Sequence, residues 1–180
     1  KLADHCNLRE KDVISAPDIE SVYEVPVNFE KDNMSVILLE KLGLKPKKSD
    51  MARWKAMVRN IQSSKKPLKI GIVGKYFGTG DFVLSDAYIS VIEAIKHACF
   101  SFKRKPVIDW INSEEFEKNP AKVRELKKYA GILVPGGFGE RGVEGKLKAI
   151  EFCRKNKIPY FGLCYGMQLL VIEYARNVLK

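Results

Sequence analysis

Four short apolar runs, at 69–73, 106–110, 131–134 and 159–163, alternate with helix-patterned stretches at 86–102, 121–129, 144–156 and 167–179. Few folds accommodate that alternation. Within 86–102 the residues Tyr88, Val91, Ile92, Ile95, Cys99 and Phe102 recur at helical spacing, so this stretch predicts an amphipathic helix with one apolar face. Strands that alternate with helices predict a parallel sheet covered by helices on both faces, an α/β fold of three layers. In such sheets ligands gather at the carboxyl ends of the strands.

Two strand ends carry unusual chemistry. Gly162-Leu163-Cys164-Tyr165-Gly166-Met167-Gln168 joins the fourth apolar run to the last helical stretch, which puts Cys164 on a sharp strand-to-helix turn. The helix N-terminus behind such a cysteine favours its thiolate, and glycines two residues before and after it are what a strained nucleophile elbow requires. The plainer reading is a buried cysteine that caps a strand. The third run leads into Pro135-Gly136-Gly137-Phe138-Gly139-Glu140-Arg141-Gly142, whose glycines let main-chain N–H groups approach a ligand. Those amides, with the N–H of Tyr165, would hold the oxyanion of an acyl-transfer intermediate; alone, such a loop is more often an ordinary connection.

The segment before residue 67 reads differently. A short irregular tail runs to about residue 30 with an extended stretch at 23–27, followed by helices at 34–42 and 50–62, and Ser63-Ser64-Lys65-Lys66-Pro67 marks a boundary. The formal charge is +10, and the 41–69 window holds ten basic residues against one acid, Asp50. Aromatic residues barely interleave with these charges, since Trp54 stands alone, so the window predicts an exposed linker and not a nucleic-acid surface. No apolar run approaches the ~20 residues of a membrane span, and the first residues have no signal-peptide shape. Four cysteines without C-x-x-C spacing point to a reducing compartment, hence the cytoplasm, and away from a zinc site.

Pro135 to Gly139 followed by Gly162 to Gln168 resembles the class I glutamine amidotransferases, and a finer resemblance is to the CTP synthase family. Val73-Gly74-Lys75-Tyr76 with Asp86-Ala87-Tyr88, Glu93 to Ala98, Gln168 to Asn177, and the upstream Asp18 to Pro26 carry it along nearly the whole chain. The resemblance implies three regions: 1–30 as the end of a synthase domain, 31–67 as a basic helical linker, and 68–180 as part of a flavodoxin-like amidotransferase domain. It implies Cys164 as nucleophile, Gly136 and Tyr165 as oxyanion N–H donors, and Gly137, Tyr165, Gly166, Met167 and Gln168 as glutamine contacts. Lys1 matches a UTP or CTP contact, and Pro17, Asp18 and Ile19 an ATP contact. Partners implied are glutamine, UTP, ATP with Mg2+, GTP as allosteric activator, and further copies of the chain in a tetramer.

Departures from the family pattern matter as well. No G-x-x-x-x-G-K-[ST] occurs, and the two histidines, His5 and His97, both precede Cys164, so the family's later catalytic histidine and glutamate are not among these residues. The chain is therefore expected to be the middle of a longer enzyme and inactive alone. Tyr165 stands where the family usually carries leucine, and the 76–85 loop is longer than usual. Two other classes stay open: another cysteine-dependent amidohydrolase such as a γ-glutamyl hydrolase, and a non-catalytic interaction module that keeps the elbow as architecture.

Overall fold

The computed structural model describes residues 1–45, 47, 49–75, 88–137 and 139–179. The 76–85 loop, the Asp86-Ala87 match and Phe138 lie outside the described residues. The chain divides into two compact units, Lys1–Ser63 and Ser64–Lys180.

The first unit is helical and small-cored. It contains α1 (Leu2–His5), short 3-10 turns at Glu10–Asp12 and Val22–Glu24, α2 (Val25–Lys31), α3 (Met34–Lys41) and α4 (Ala52–Ser63). The stretch expected to be extended at 23–27 is helical instead. Pro26 sits in the first turn of α2, where its missing N–H costs nothing and its fixed φ suits the helix. Trp54 donates its indole N–H to the Tyr23 carbonyl at 2.8 Å and its ring lies 6.1 Å from that of Tyr23, so the lone aromatic of the basic window, though exposed, is held against Tyr23. Arg53, Lys55 and Arg59 remain exposed on α4.

The second unit is the expected α/β layer structure. Its strands are β1 (Lys66–Gly74), β2 (Arg104–Asn112), β3 (Gly131–Val134) and β4 (Tyr160–Gly162), all parallel in the order β2-β1-β3-β4. α5 (Ile89–Ser101) follows β1, α6 (Glu114–Lys118) and a 3-10 segment (Pro120–Lys128) follow β2, α7 (Val143–Lys155) follows β3, and α8 (Tyr165–Tyr174) follows β4. Because side chains alternate across a strand, Ile72 and Leu133 meet Tyr88, Val91 and Ile95 on one face. Val73, Ile132 and Val134 meet Leu126, Tyr129, Ala149 and Cys153 on the other. Both faces are thus covered, and each fully buried aliphatic side chain contributes roughly 1.5–3 kcal/mol. The chain moves outward from β1 to β2 and then back past β1 to β3. That reversal is a topological switch point at the carboxyl edge between β1 and β3.

Several boundaries differ from the sequence reading for identifiable reasons. β1 starts at Lys66, and Pro67 is tolerated because this end of β1 pairs only with β2; pairing with β3 begins at Ile70. The helix expected at 121–129 is a 3-10 segment. Val123, Leu126 and Tyr129 stand three apart, and a three-residue period turns all of them toward the core. The Asn119 side chain caps that segment by accepting the Ala121 N–H at 3.2 Å. Phe102, assigned to the apolar face of α5, follows its last turn and is 79% exposed. The last helix changes to a π turn at Ala175–Leu179. Among the described residues no helix is long and apolar enough to cross a membrane.

Candidate active site

β3 and β4 end side by side, with Val134 paired to Gly162, so the segments that follow them leave the sheet together. The Leu163 N–H donates to the Val134 carbonyl at 2.9 Å and carries the ladder one residue further. There the glycine loop and the cysteine meet. A methyl group on Gly136 would lie 3.5 Å from Cys164 Cβ and 3.9 Å from its Sγ, so the Gly136 main chain passes directly beside the thiol.

Cys164 occupies φ +50°, ψ −108°, a backbone conformation that side chains rarely adopt, and its thiol is exposed. The flanking glycines make that turn possible. A methyl on Gly162 would fall 2.5 Å from the Gly166 carbonyl carbon, and one on Gly166 would overlap the Val134 carbonyl oxygen. β4 and α8 therefore touch through bare backbone. The Tyr160 hydroxyl donates to the Gly166 carbonyl at 2.8 Å and ties the strand to the first turn of α8; burial pushes this phenol up from its ordinary value.

Helix starts leave N–H groups without intrahelical acceptors. In α8 the Gly166 N–H donates to Leu163, and those of Met167 and Gln168 donate to Cys164. Among the described residues no acceptor engages the Tyr165 N–H, adjacent to the thiol. It is available to an oxyanion, and the dipole of α8 favours negative charge at the same place. Gly166 is buried, whereas Met167 and Gln168 are exposed on the first turn.

Two lysines lie buried under the glycine loop. Lys75, at the end of β1, is 6% exposed, and a methyl on Gly139 would lie 3.2 Å from its ammonium. Lys146 of α7 is 2% exposed, 3.9 Å from where a Gly137 methyl would sit and 5.5 Å from the centroid of the Tyr165 ring. Burial, and secondarily the charge on Lys75, lowers the Lys146 pKa from the ordinary lysine value. Two other thiols are internal: burial raises Cys99 and pushes Cys153 up to about 12.

A family model described as glutamine amidotransferase class-I matches residues 83–180. The chain belongs to that family. Similarity extends beyond the matched region. CTP synthases of Listeria monocytogenes and Desulfitobacterium hafniense are 46% and 48% identical over 99% of this chain. That of Sulfolobus acidocaldarius is 44% identical over 99%. The chain covers 32–33% of these proteins, so it spans about a third of the length of the curated relatives it matches. A solved structure titled Trypanosoma brucei CTPS glutaminase domain with bound acivicin is 40% identical, covering 62% of this chain and 42% of that one, with a TM-score of 0.55.

Within this family member the sequence-predicted groups fall into two sets. Gly136, Gly137, Cys164 and Tyr165 come together at one sheet edge, with Gly166, Met167 and Gln168 following in α8. Lys1, Pro17, Asp18 and Ile19 belong to the first unit. Lys1, Pro17 and Asp18 are exposed, and Ile19 is half-buried beside a small cleft lined by Pro17, Val25 and Phe29. An apolar groove of about 550 Å3, walled by Leu68, Ile95 and Phe161 among others, contains none of the thiol constellation. Sequence reasoning gave no role to Lys146 or Tyr160. For Lys146 a signal existed: it stands three after Val143 and four before Ile150, on the apolar stripe of α7.

Proposed function

We propose that this chain is the central portion of a CTP synthase. Residues 1–30 end its synthase domain, 31–67 form a basic linker, and 68–180 open its glutaminase domain. The observation that carries the reading is the passage of Gly136 beside Cys164 on a glycine-flanked, positive-φ turn, with the Tyr165 N–H next to it. Cys164 Sγ attacks the side-chain amide carbon of glutamine and gives a tetrahedral oxyanion, held by the main-chain N–H groups of Gly136 or Gly137 and of Tyr165. The carbon–nitrogen bond then breaks, the nitrogen takes a proton and leaves as ammonia, and water hydrolyses the glutamyl thioester to glutamate and free thiol. Gly137 and the run Tyr165 to Gln168 orient the glutamine.

Ammonia passes to the synthase domain, where ATP phosphorylates UTP and ammonia displaces the phosphate to give CTP. Lys1 then belongs to the UTP or CTP site and Pro17, Asp18 and Ile19 to the ATP site, with GTP as activator and a tetramer as the working assembly. The described residues do not by themselves fit ATP with Mg2+. They include no group of three His, Cys, Asp or Glu placed for a metal. Similarity running through the first unit as well as the sheet supports this reading over a free-standing hydrolase. Location in the cytoplasm belongs to the same proposal and agrees with four free cysteines.

Ammonia release from glutamine tests the assignment. Turnover by the complete enzyme should vanish in Cys164→Ala. The 180 residues alone should be nearly silent, because both histidines precede Cys164 and general acid–base help is worth roughly 10²–10⁴ in rate. Full activity in Cys164→Ala overturns the nucleophile, and robust Cys164-dependent turnover by the 180 residues overturns the need for a later histidine.

A further inference from the structure

Lys146 is the least expected residue near the thiol, since an ammonium 2% exposed is costly unless something compensates it. Among the described residues no carboxylate lies within ion-pair distance of it. The acids around α7 are engaged elsewhere: Glu114 with Arg141, Glu144 with Arg176, Glu173 with Arg154, and Glu117 with the Gly145 N–H. What Lys146 does face is the Tyr165 ring and the main chain at Gly137. One glycine of the Gly136–Gly137 pair borders the thiol, and the next borders the Lys146 ammonium. A buried cation with no anion beside it among the described residues, behind a loop beside a nucleophile, matches a site where negative charge develops only during reaction.

We propose that Lys146 is a positioning residue of the thiol site, supplying through the Gly136–Gly137 main chain and the Tyr165 ring the fixed positive charge that faces negative charge formed at Cys164. This rests on Cys164 being the nucleophile. Other titratable groups facing this end of α7 are Lys75 just after β1, Tyr165 from α8, Tyr160 from β4 with its hydroxyl on Gly166, and Glu114 and Glu117 from α6. In the Pro120–Lys128 segment Lys122 pairs with Glu115 instead. The Tyr165 ring receives the ammonium on its face, which holds the residue carrying the available N–H.

The test is alkylation of the complete protein with iodoacetamide from pH 6 to 10, read cysteine by cysteine by peptide mass mapping. At pH 7 labelling of Cys164 should slow about five- to tenfold in Lys146→Met and Lys146→Gln, since a nearby unit charge shifts the thiolate fraction by about that factor. Lys146→Arg, which keeps a permanent charge, should restore it. Near pH 10 the variants should converge, because an exposed thiol ionises there with or without the nearby charge. Equal Cys164 labelling in wild type and Lys146→Met at pH 7 overturns the proposal, as does an equal slowing at every pH, which would mean a structural role only. Should the arginine variant not fold, the convergence near pH 10 in the methionine and glutamine variants decides alone. If wild-type Cys164 labels no faster than the exposed Cys6, the nucleophile reading itself fails and takes this proposal with it.

Discussion

Replacing Cys164 by glycine should leave the protein more stable than replacing it by alanine. Both variants lose the same exposed thiol, so the comparison isolates the backbone. At φ +50°, ψ −108° a residue with a Cβ is strained by about 1–3 kcal/mol, which alanine retains and glycine relieves. Glycine's greater freedom in the unfolded chain offsets about 0.5–1 kcal/mol of that gain. A net advantage of about 1 kcal/mol remains, or roughly 2–4 °C in Tm for a chain of this size. Urea unfolding of the two variants, compared at equal m-values, measures it. Cys164 also precedes the first turn of α8, where glycine is preferred to alanine for capping alone. The same exchange at Asn119, a cap with φ −136°, measures that preference without positive-φ strain. A glycine variant no more stable than the alanine variant, after that correction, would refute a strained turn.

Two further outcomes follow from close contacts. Gly166→Ala forces a methyl into the Val134 carbonyl, which is backbone on both sides and cannot rotate away, so it should cost about 1–3 kcal/mol and abolish Cys164-dependent ammonia release. Wild-type Tm and activity in that variant would show that α8 and β3 are not in contact. The Glu173 carboxylate is fully buried, and its hydrogen bonds from Arg154, at 2.6 and 2.9 Å, hold it below the usual carboxylate range. A depressed folded pKa stabilises above the unfolded value of about 4.3 and is lost as pH falls through the folded value. Thermal melts should therefore show wild type ahead of Glu173→Gln above about pH 5, with the gap closing toward pH 3; a pH-independent gap would exclude a role for the charge.

The sequence determined the layer order and the thiol turn because both are local signals. Runs such as 131–134 can only be strands when turn residues close them after a few positions, and Gly162, Cys164 and Gly166 announce a turn too tight for side chains. Conformations that depend on which partner is available were not legible. Pro67 inside β1 is allowed because β3 does not reach that end of the strand. The helical Tyr23 to Val27 region carries the carbonyl on which Trp54 closes from 31 residues away. The three-residue period of Val123, Leu126 and Tyr129 was visible, yet only the core they fill selects a 3-10 segment over an α-helix. Lys146 shows the limit most clearly. Its place on the apolar stripe of α7 is written in the chain, but its closeness to Gly137 and Tyr165 exists only because β3 and β4 pair and deliver two distant loops to one edge.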